Sequence, residues 1–380
     1  MSSNLLDVYP QLPFEPVSAE GAHLLTAKGR WILDLYGGHA VAGLGYGHPR
    51  VVETLARQAK ELTFQTNAVP LKIRERAAAR LAAFAPDGLD HVFFVNSGAE
   101  ANENALRLAF LGSKATKVVA VEHGFHGRTA AAGAVTWGSA GKWYAFPQTP
   151  FPVSFIPQNR ADGLFAVDED TAAVIVEPIQ GMAGAVDLDS AFLIALRERC
   201  DETGALLIFD EVQCGMGRTG FAFAADRVKV VPDILTTAKS IAAGFPVGAV
   251  LMNDAVARRV RRGSLGTTFG GGPMACALVE TVIDVIEKED LMQNVRNVSS
   301  LIRSTCVVGP VKEIQGSGFL LGLRCHISAS IVRDDLLTHD ILVGTSADPF
   351  VLRVMPPLNL AEKHVGELSR ALASCAASTT

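Results

Sequence analysis

The chain has 380 residues, 49% hydrophobic and 19% charged, which is enough apolar material for large cores and too little charge for a disordered protein. At roughly 100–200 residues per domain, this length predicts about two domains. The 34 Lys and Arg against 39 Asp and Glu give a net charge of −5 without a basic run, which argues against nucleic acid as a partner.

The sequence also argues against a membrane partner or export. We find no apolar, uncharged stretch of about 18 residues, and the N-terminus lacks the basic and then apolar pattern of a secretory signal. The cysteines are scattered without a Cys-x-x-Cys pair, so we expect reduced thiols, no metal site and a cytoplasmic protein. These cysteines are Cys200, Cys214, Cys276, Cys306, Cys325 and Cys375.

The first predicted element is a hairpin around Lys28 and Gly29 near the N-terminus. Further along the chain, short β-branched segments alternate with amphipathic helices at 99–112 and 190–204. Apolar strands that alternate with helices predict an α/β fold with a mostly parallel sheet covered on both faces. The predicted strands are 91–95, 117–122, 172–177, 205–211, 234–238 and 247–252.

The two ends of the chain have a different pattern from its middle. A long helical stretch at 274–306 is followed by a glycine-containing, strand-like segment at 311–325. We therefore predict a large domain at 46–275 and a smaller α+β domain assembled from 1–45 and 276–380.

The segment after the first central strand is typical of a phosphate site. Ser97 can cap the helix that follows, and the backbone N–H groups of Gly98 and Ala99 point out of its first turn. Free N–H groups and the positive end of the helix dipole suit a phosphate, although a capped helix without a ligand fits the same residues.

A glycine-rich loop at 215–220 matches the dinucleotide pattern G-x-G-x-x-G after a strand. Residues 221–233 do not predict a helix, so we expect no helix N-terminus for a pyrophosphate there. Asp210 and Glu211 end the preceding strand. An acid in this place could bind a metal, act as a base or hold a protonated ring nitrogen, and no nearby spacing completes a metal site.

Lys239 stands at the end of an apolar strand, before a glycine-containing turn. Desolvation would lower its pKa and favour the free amine that Schiff-base chemistry needs, whereas a solvated surface lysine is the alternative. A phosphate site, a strand-end Asp and a strand-end Lys are together what pyridoxal phosphate requires.

Six motifs resemble, in order, those of class III aminotransferases of the acetylornithine and ornithine type. The resemblance runs from about residue 21 to about residue 360. It implies a fold-type I enzyme with a seven-stranded sheet, pyridoxal phosphate as cofactor, amino-acid and 2-oxo-acid substrates, and a homodimer with shared active sites. The motifs are NSGAEAN (96–102), HGFHGRT (123–129), EPIQG (177–181), FDEVQCGMGRTG (209–220), PDILTTAK (232–239) and GTTFGGGPMACA (266–277).

The same resemblance implies a role for each matching residue. Lys239 would hold the cofactor covalently and carry a proton between substrate and cofactor, and Asp210 would pair with the ring nitrogen. Gln213 would bond the phenolic oxygen, while Val212 and Phe125 would pack on the two ring faces.

The phosphate is expected to be held by two chains. Gly98 and Ala99 would bind it through their N–H groups, and Thr268 would reach it from a second subunit. Glu211 is also counted among the residues at the cofactor.

For substrate carboxylates, the resemblance implies Arg128 and Arg353, with Thr267 as a further contact. Arginine suits this task because its planar fork binds a carboxylate through two N–H groups. Met182 stands where many relatives have a glutamate that pairs with the second arginine, so we expect Arg353 to remain a free cation facing the pocket. Val69 stands where relatives often have an aromatic residue.

The expected activity is transfer of the terminal amine of N-acetylornithine, or a similar N-acylated donor, to 2-oxoglutarate. The same chemistry with ornithine, succinylornithine, 4-aminobutyrate or a carrier-bound lysine-pathway intermediate is the first alternative. An oxidoreductase that uses the loop at 215–220 and a binding protein without catalysis are the others.

Overall fold

A seven-stranded sheet forms the centre of the large domain, and the computed structural model describes residues 4–375 of the chain. The strand Gly248–Met252 runs antiparallel to both of its neighbours, and the other strands share one direction. This confirms the predicted α/β fold with a mostly parallel sheet. In spatial order the strands are His91–Val95, Gly248–Met252, Ile234–Thr237, Leu206–Asp210, Thr171–Val176, Lys117–Val121 and Val153–Ile156.

The central strands are continuous apolar segments because helices cover both faces of the sheet. Every residue of Thr171–Val176 and Leu206–Asp210 is buried. The strand Val153–Ile156 was not predicted, since it is a four-residue edge strand without a strong pattern. The helices of this part of the chain are Pro49–Glu61, Lys72–Phe84, Gly98–Phe110, Ala130–Ala134, Ser190–Thr203, Ala224–Val228, Asp254–Ala257 and Pro273–Lys288, with 3₁₀ turns at Ala161–Ala166 and Lys239–Ala242.

A smaller region is built from both ends of the chain. The predicted hairpin is present as His23–Thr26 and Trp31–Asp34, which pair antiparallel. Its sheet begins with Pro16–Glu20 and ends with Ile341–Leu342, so the two chain ends share one sheet. The other strands and helices of this region are Val311–Ser317, Leu320–Cys325, Gly344–Thr345, Val351–Val354, Leu291–Thr305, Ala329–Thr338 and Glu362–Cys375, and a two-stranded ribbon joins Ile179–Gln180 to Val186–Asp187.

The predicted helical stretch at 274–306 is two helices, Pro273–Lys288 and Leu291–Thr305. The chain turns at Asp290, whose φ of 50° is left-handed and ends the first helix. Pro273–Lys288 packs on the helices of the large domain and crosses the predicted boundary at 275/276. The division into 46–275 and the two end segments stays a prediction, and residues 1–3 and 376–380 of it lie outside the described part.

All six cysteines are free and buried. Within residues 4–375, no helix has both the length and the apolar character that a membrane crossing requires.

Candidate active site

A cavity of about 570 Å³ lies at the carboxyl ends of the central strands. Ligands of open α/β sheets bind at this edge because the loops that leave the strands meet there. The cavity brings together eight of the residues expected at the site. They are Gly98, Ala99, Phe125, Arg128, Asp210, Val212, Gln213 and Lys239.

The N-terminus of the helix Gly98–Phe110 forms one wall of this cavity. Ser97 caps the helix as predicted, because its hydroxyl accepts a hydrogen bond from the Glu100 N–H at 3.1 Å. The N–H groups of Gly98 and Ala99 have no acceptor inside the helix, and both residues line the cavity. A Cβ at Gly98 would lie 2.5 Å from Val212 Cγ1, so only glycine allows this close packing.

Asp210 is buried at the end of its strand and is held by three donors. Its Oδ2 accepts hydrogen bonds from Asn102 Nδ2 at 2.7 Å and His126 Nδ1 at 2.8 Å. Its Oδ1 accepts one from the Val212 N–H at 3.1 Å. These three hydrogen bonds fix the position of the Asp210 carboxyl group on the cavity wall.

Lys239 lines the cavity and begins a 3₁₀ turn. Its φ of 49° is left-handed, which is unfavourable for a residue with a Cβ. Burial lowers the pKa of its amine below the usual range, while Asp210 and Glu177 oppose this shift and Arg353 reinforces it. The side chain is therefore suited to supply a free amine.

Glu177, from the EPIQG motif, is a buried carboxyl that lines the cavity. Its Oε1 accepts a hydrogen bond from the Phe125 N–H at 2.8 Å and so fixes the loop that carries this aromatic ring. Burial raises the pKa of Glu177 to about 7, and the charge of Asp210 acts in the same direction.

The residues at the cavity mouth are more exposed. Arg128 is exposed, and its guanidinium carbon lies 5.1 Å from the ring centroid of Trp143. Gln213 Nε2 donates to the carbonyl of His39 at 3.4 Å, which connects the large domain to the N-terminal segment.

Two expectations for the segment after Asp210 need correction. Glu211 is not among the cavity-lining residues, because its carboxylate accepts hydrogen bonds from the N–H groups of Ala224 and Ala225, at 2.5 and 2.8 Å. A short helix, Ala224–Val228, does follow the glycine-rich loop, although none was predicted. Glu211 occupies its N-terminus, so those amides are not available to a pyrophosphate.

The glycine-rich loop at 215–220 instead places Arg218 in the interior, with no exposed surface. Its guanidinium donates to the carbonyls of Pro356 and Ala40 and to the Ser240 hydroxyl. Burial lowers its pKa to about 9. The loop therefore joins both chain ends to the turn that carries Lys239.

Other expected substrate and phosphate residues are not at the cavity of their own chain. Thr268 is exposed, and Thr267 Oγ1 accepts a hydrogen bond from the Gly270 N–H at 3.1 Å. Val69 is 40% exposed and also does not line the cavity. Arg353 is 2% exposed, donates a hydrogen bond to the Tyr36 hydroxyl at 3.0 Å and is not among the cavity-lining residues, so it does not face the pocket as expected.

Sequence reasoning missed several residues that shape the site. Asn102 and His126 belong to quoted motifs, and Asn102 is also a polar residue in the buried, apolar face of its helix. That signal could have identified it as a partner of a strand-end acid. Tyr36 and His39 gave no comparable signal, since neither stands near a motif.

A model of the family described as Aminotransferase class-III matches residues 7–375. An acetylornithine aminotransferase from Methanosarcina mazei is 37% identical over 96% of this chain and 92% of its own. A LysW-aminoadipate semialdehyde/glutamate semialdehyde transaminase from Sulfolobus acidocaldarius is 35% identical over 97% of this chain and 96% of its own. Among solved structures, an ornithine aminotransferase from Toxoplasma gondii, with partial occupancy of PLP at its active site, superposes with a TM-score of 0.92 at 29% identity, covering 99% of this chain and 92% of that one.

Proposed function

We propose, from the premise that the chain belongs to the class III aminotransferase family, that it transfers the terminal amine of N-acetylornithine, or a similar N-acylated donor, to 2-oxoglutarate. The observation that carries this proposal is one cavity that combines Lys239, Asp210 and a helix N-terminus with an arginine at its mouth. The donor is assigned by likeness to acetylornithine aminotransferases.

The chain is a pyridoxal-phosphate-dependent aminotransferase. The residues present fit the cofactor, because a helix N-terminus with free N–H groups, a fixed carboxylate and a desolvated amine all border one cavity. When bound, the cofactor supplies an electron-withdrawing ring that stabilises negative charge at the substrate carbon.

The chain's own residues would bind and move protons around that ring. Gly98 and Ala99 would hold the phosphate, and Asp210 would hold a proton on the ring nitrogen. Val212 and Phe125 would enclose the ring and exclude water, and Lys239 would carry the proton at the substrate carbon. All six of these residues line the cavity, which supports these roles.

We propose that Arg128, at the cavity mouth, binds the carboxylate of the amine donor. We propose that Arg353, which is buried and donates a hydrogen bond to the Tyr36 hydroxyl at 3.0 Å, serves a second substrate carboxylate. The acylated end of the donor would then point toward the exposed side of the cavity.

A carrier-bound lysine-pathway intermediate is the second candidate donor, since the Sulfolobus acidocaldarius relative acts on LysW-aminoadipate semialdehyde. Ornithine, succinylornithine and 4-aminobutyrate remain further alternatives. A panel of these donors, compared by kcat/KM in the first half-reaction, tests the assignment. A preference for any other donor over N-acetylornithine would refute it.

Met182→Glu is expected to shift donor preference. Met182 lines the cavity, whereas Arg353 is buried and does not line it. A glutamate at this place would add a negative charge to the cavity and lower its attraction for glutamate, which carries a second carboxylate that N-acetylornithine lacks. The kcat/KM ratio for N-acetylornithine over glutamate should rise by about 5- to 150-fold, equivalent to ~1–3 kcal/mol.

Met182→Gln is the matched control, because it has similar length without the charge. It should leave that ratio close to its original value. An unchanged ratio in Met182→Glu would contradict a role for charge at this position in donor choice.

We propose further that the working form is a cytoplasmic homodimer with shared active sites. Six buried, unpaired thiols suit a reducing compartment. Thr268 is exposed beside Phe269, which is 66% exposed and packs on Phe64 with ring centroids 5.2 Å apart. An exposed aromatic pair of this kind suits contact with a second copy of the chain.

A mixing experiment tests the shared phosphate site. Lys239→Ala and Thr268→Asp chains should each be inactive alone, the second because its charge repels the phosphate. After subunit exchange, heterodimers should contain one site with both changes and one with neither. Random exchange should then restore about a quarter of the original activity.

The matched control mixes Lys239→Ala with Asp210→Asn chains. Asp210 and Lys239 border the same cavity of one chain, so every site in these heterodimers keeps one change. Activity should not return there. Failure of the first mixture to recover, after exchange has been verified, would contradict the shared site.

A further inference from the structure

A second cavity, of about 560 Å³, lies where the two ends of the chain meet. Its walls come from the N-terminal strands between residues 16 and 34 and from residues 359–364, which lead into the C-terminal helix. It shares no lining residue with the cavity that contains Lys239. The proposed transfer of an amine therefore gives this second cavity no role.

Two histidines from opposite ends of the chain meet in this cavity. The rings of His23 and His364 have centroids 5.1 Å apart, and their planes cross at 65°. His23 begins a strand that pairs with a neighbour on each side, where its partners are Glu20 and Leu33. His364 lies in the first turn of the helix Glu362–Cys375. Two separate elements of secondary structure therefore fix the positions of these imidazoles.

A carboxylate lies beside the two rings. Glu367 follows His364 by three residues on the same helix, a spacing that places both side chains on one face. Its Oε1 lies 3.2 Å from His364 Nδ1, within hydrogen-bond distance. This hydrogen bond accounts for His364 and Glu367 but not for His23, whose ring nitrogens have no hydrogen-bond partner among residues 4–375.

The three side chains have the spacing of a metal site. One ligand atom from each of His23, His364 and Glu367 can be chosen so that all three lie within 4.8 Å of one another. Two ligands of a tetrahedral zinc ion are roughly 3.3 Å apart, which is close to the 3.2 Å between His364 Nδ1 and Glu367 Oε1. His23 is only partly buried, so its ring can rotate to close the remaining separations while its backbone stays in the sheet.

The chemistry of the three groups selects the kind of ion. Two imidazole nitrogens and one carboxylate oxygen suit zinc and similar divalent transition metals, whereas Mg²⁺ and Ca²⁺ prefer oxygen ligands alone. The nearby charges also favour a cation. Glu20 and Lys363 line the same cavity, so together with Glu367 there are two carboxylates against one ammonium group.

We propose that His23, His364 and Glu367 bind one divalent transition-metal ion of the zinc type, with water in the remaining coordination position. Such an ion would connect the N-terminal sheet to the C-terminal helix and stabilise the folded chain, because the unfolded chain does not hold these ligands together. The cysteine spacing gives no indication of this site. The two histidines are more than 300 residues apart in sequence, so they form no recognisable motif either.

The test is a calorimetric titration of the holoenzyme, without a histidine tag, with zinc chloride. One Zn²⁺ should bind per chain, and it should raise the melting temperature of the protein. His23→Gln and Glu367→Gln each remove one ligand at a partly exposed position, and each should weaken zinc binding by at least about tenfold. The rise in melting temperature should be lost in both variants at a zinc concentration that saturates the original protein. Magnesium chloride at the same concentration should not bind.

His91→Gln is the matched control. His91 Nε2 pairs with Asp254 Oδ1 at 2.7 Å, so this histidine also has a carboxylate neighbour. The pair belongs to no group of three possible metal ligands among residues 4–375. Zinc affinity should be unchanged in this variant. The visible absorbance of the bound cofactor should persist in all three variants, because none of these residues lines the cavity that contains Lys239.

Zinc binding of equal strength in the original protein, His23→Gln and Glu367→Gln would overturn the proposal. The absence of saturable binding at one ion per chain would also overturn it, as would an equal loss of affinity in His91→Gln. The measured quantities are zinc affinity and melting temperature, so the outcome does not depend on which amine donor the enzyme uses. The donor panel alone decides the proposed function.

Discussion

Lys239→Ala should abolish multiple-turnover transamination, with a rate loss of about 10³-fold or more. Lys239 is the lysine on the cavity wall, and burial lowers the pKa of its amine. Without it, the chain has no amine at this place to hold the cofactor covalently or to move the substrate proton. Borohydride should also no longer attach the cofactor to the protein.

Lys117→Ala is the matched control for the loss of a partly buried lysine. Lys117 is the first residue of its strand and so lies at the amino ends of the parallel strands, away from the cavity at their carboxyl ends. Its Nζ pairs with Asp168 Oδ2 at 2.7 Å. Turnover per folded enzyme should persist in this variant. Normal turnover in Lys239→Ala would show that another residue forms the covalent link.

Asp210→Asn should keep the cofactor but slow the proton-abstraction half-reaction by about 10²- to 10³-fold. The substitution preserves the shape of the side chain and removes the charge that keeps the ring nitrogen protonated. The amide must also face three donors, from Asn102, His126 and Val212, with only one oxygen. Single-turnover absorbance changes with saturating donor measure this rate.

Asp233→Asn separates the effect of charge at the ring from the loss of a structural carboxylate. Asp233 immediately precedes the strand Ile234–Thr237 and so lies at the amino ends of the parallel strands, away from the cavity. It accepts hydrogen bonds from Arg197 Nη1 at 2.7 Å and from the Leu207 N–H at 2.8 Å. This variant should lower stability but not the half-reaction rate. A loss of less than about tenfold in Asp210→Asn, with cofactor bound, would contradict the role of Asp210.

Much of the fold and the centre of the site could be predicted because their signals are local. Alternating apolar strands and helices predict the sheet, and carboxyl ends of parallel strands share one edge, so Asp210 and the capped helix at Ser97 had to lie close together. The hairpin around Gly29 likewise follows from a short turn between two strands.

The features that were missed depend on distant contacts. The helix Ala224–Val228 is only five residues long, and its N-terminus is completed by Glu211, which no local pattern at 221–233 reveals. The sequence alone predicts that Arg353 is an accessible site for a carboxylate. In the structure Arg353 is buried and donates a hydrogen bond to Tyr36, which is more than 300 residues away in sequence. Such pairings become visible only when the two chain ends meet.

Arg218 has a consequence for how the protein folds. Its buried guanidinium donates to the carbonyls of Ala40 and Pro356, which lie more than 300 residues apart in sequence. An unsatisfied buried cation is costly, so the loop that carries Arg218 is fully stabilised only when both segments have docked on it. The same guanidinium donates to the Ser240 hydroxyl, next to Lys239. Completion of the active site therefore depends on contacts between distant parts of the sequence, which are slow to form because a long loop must close first.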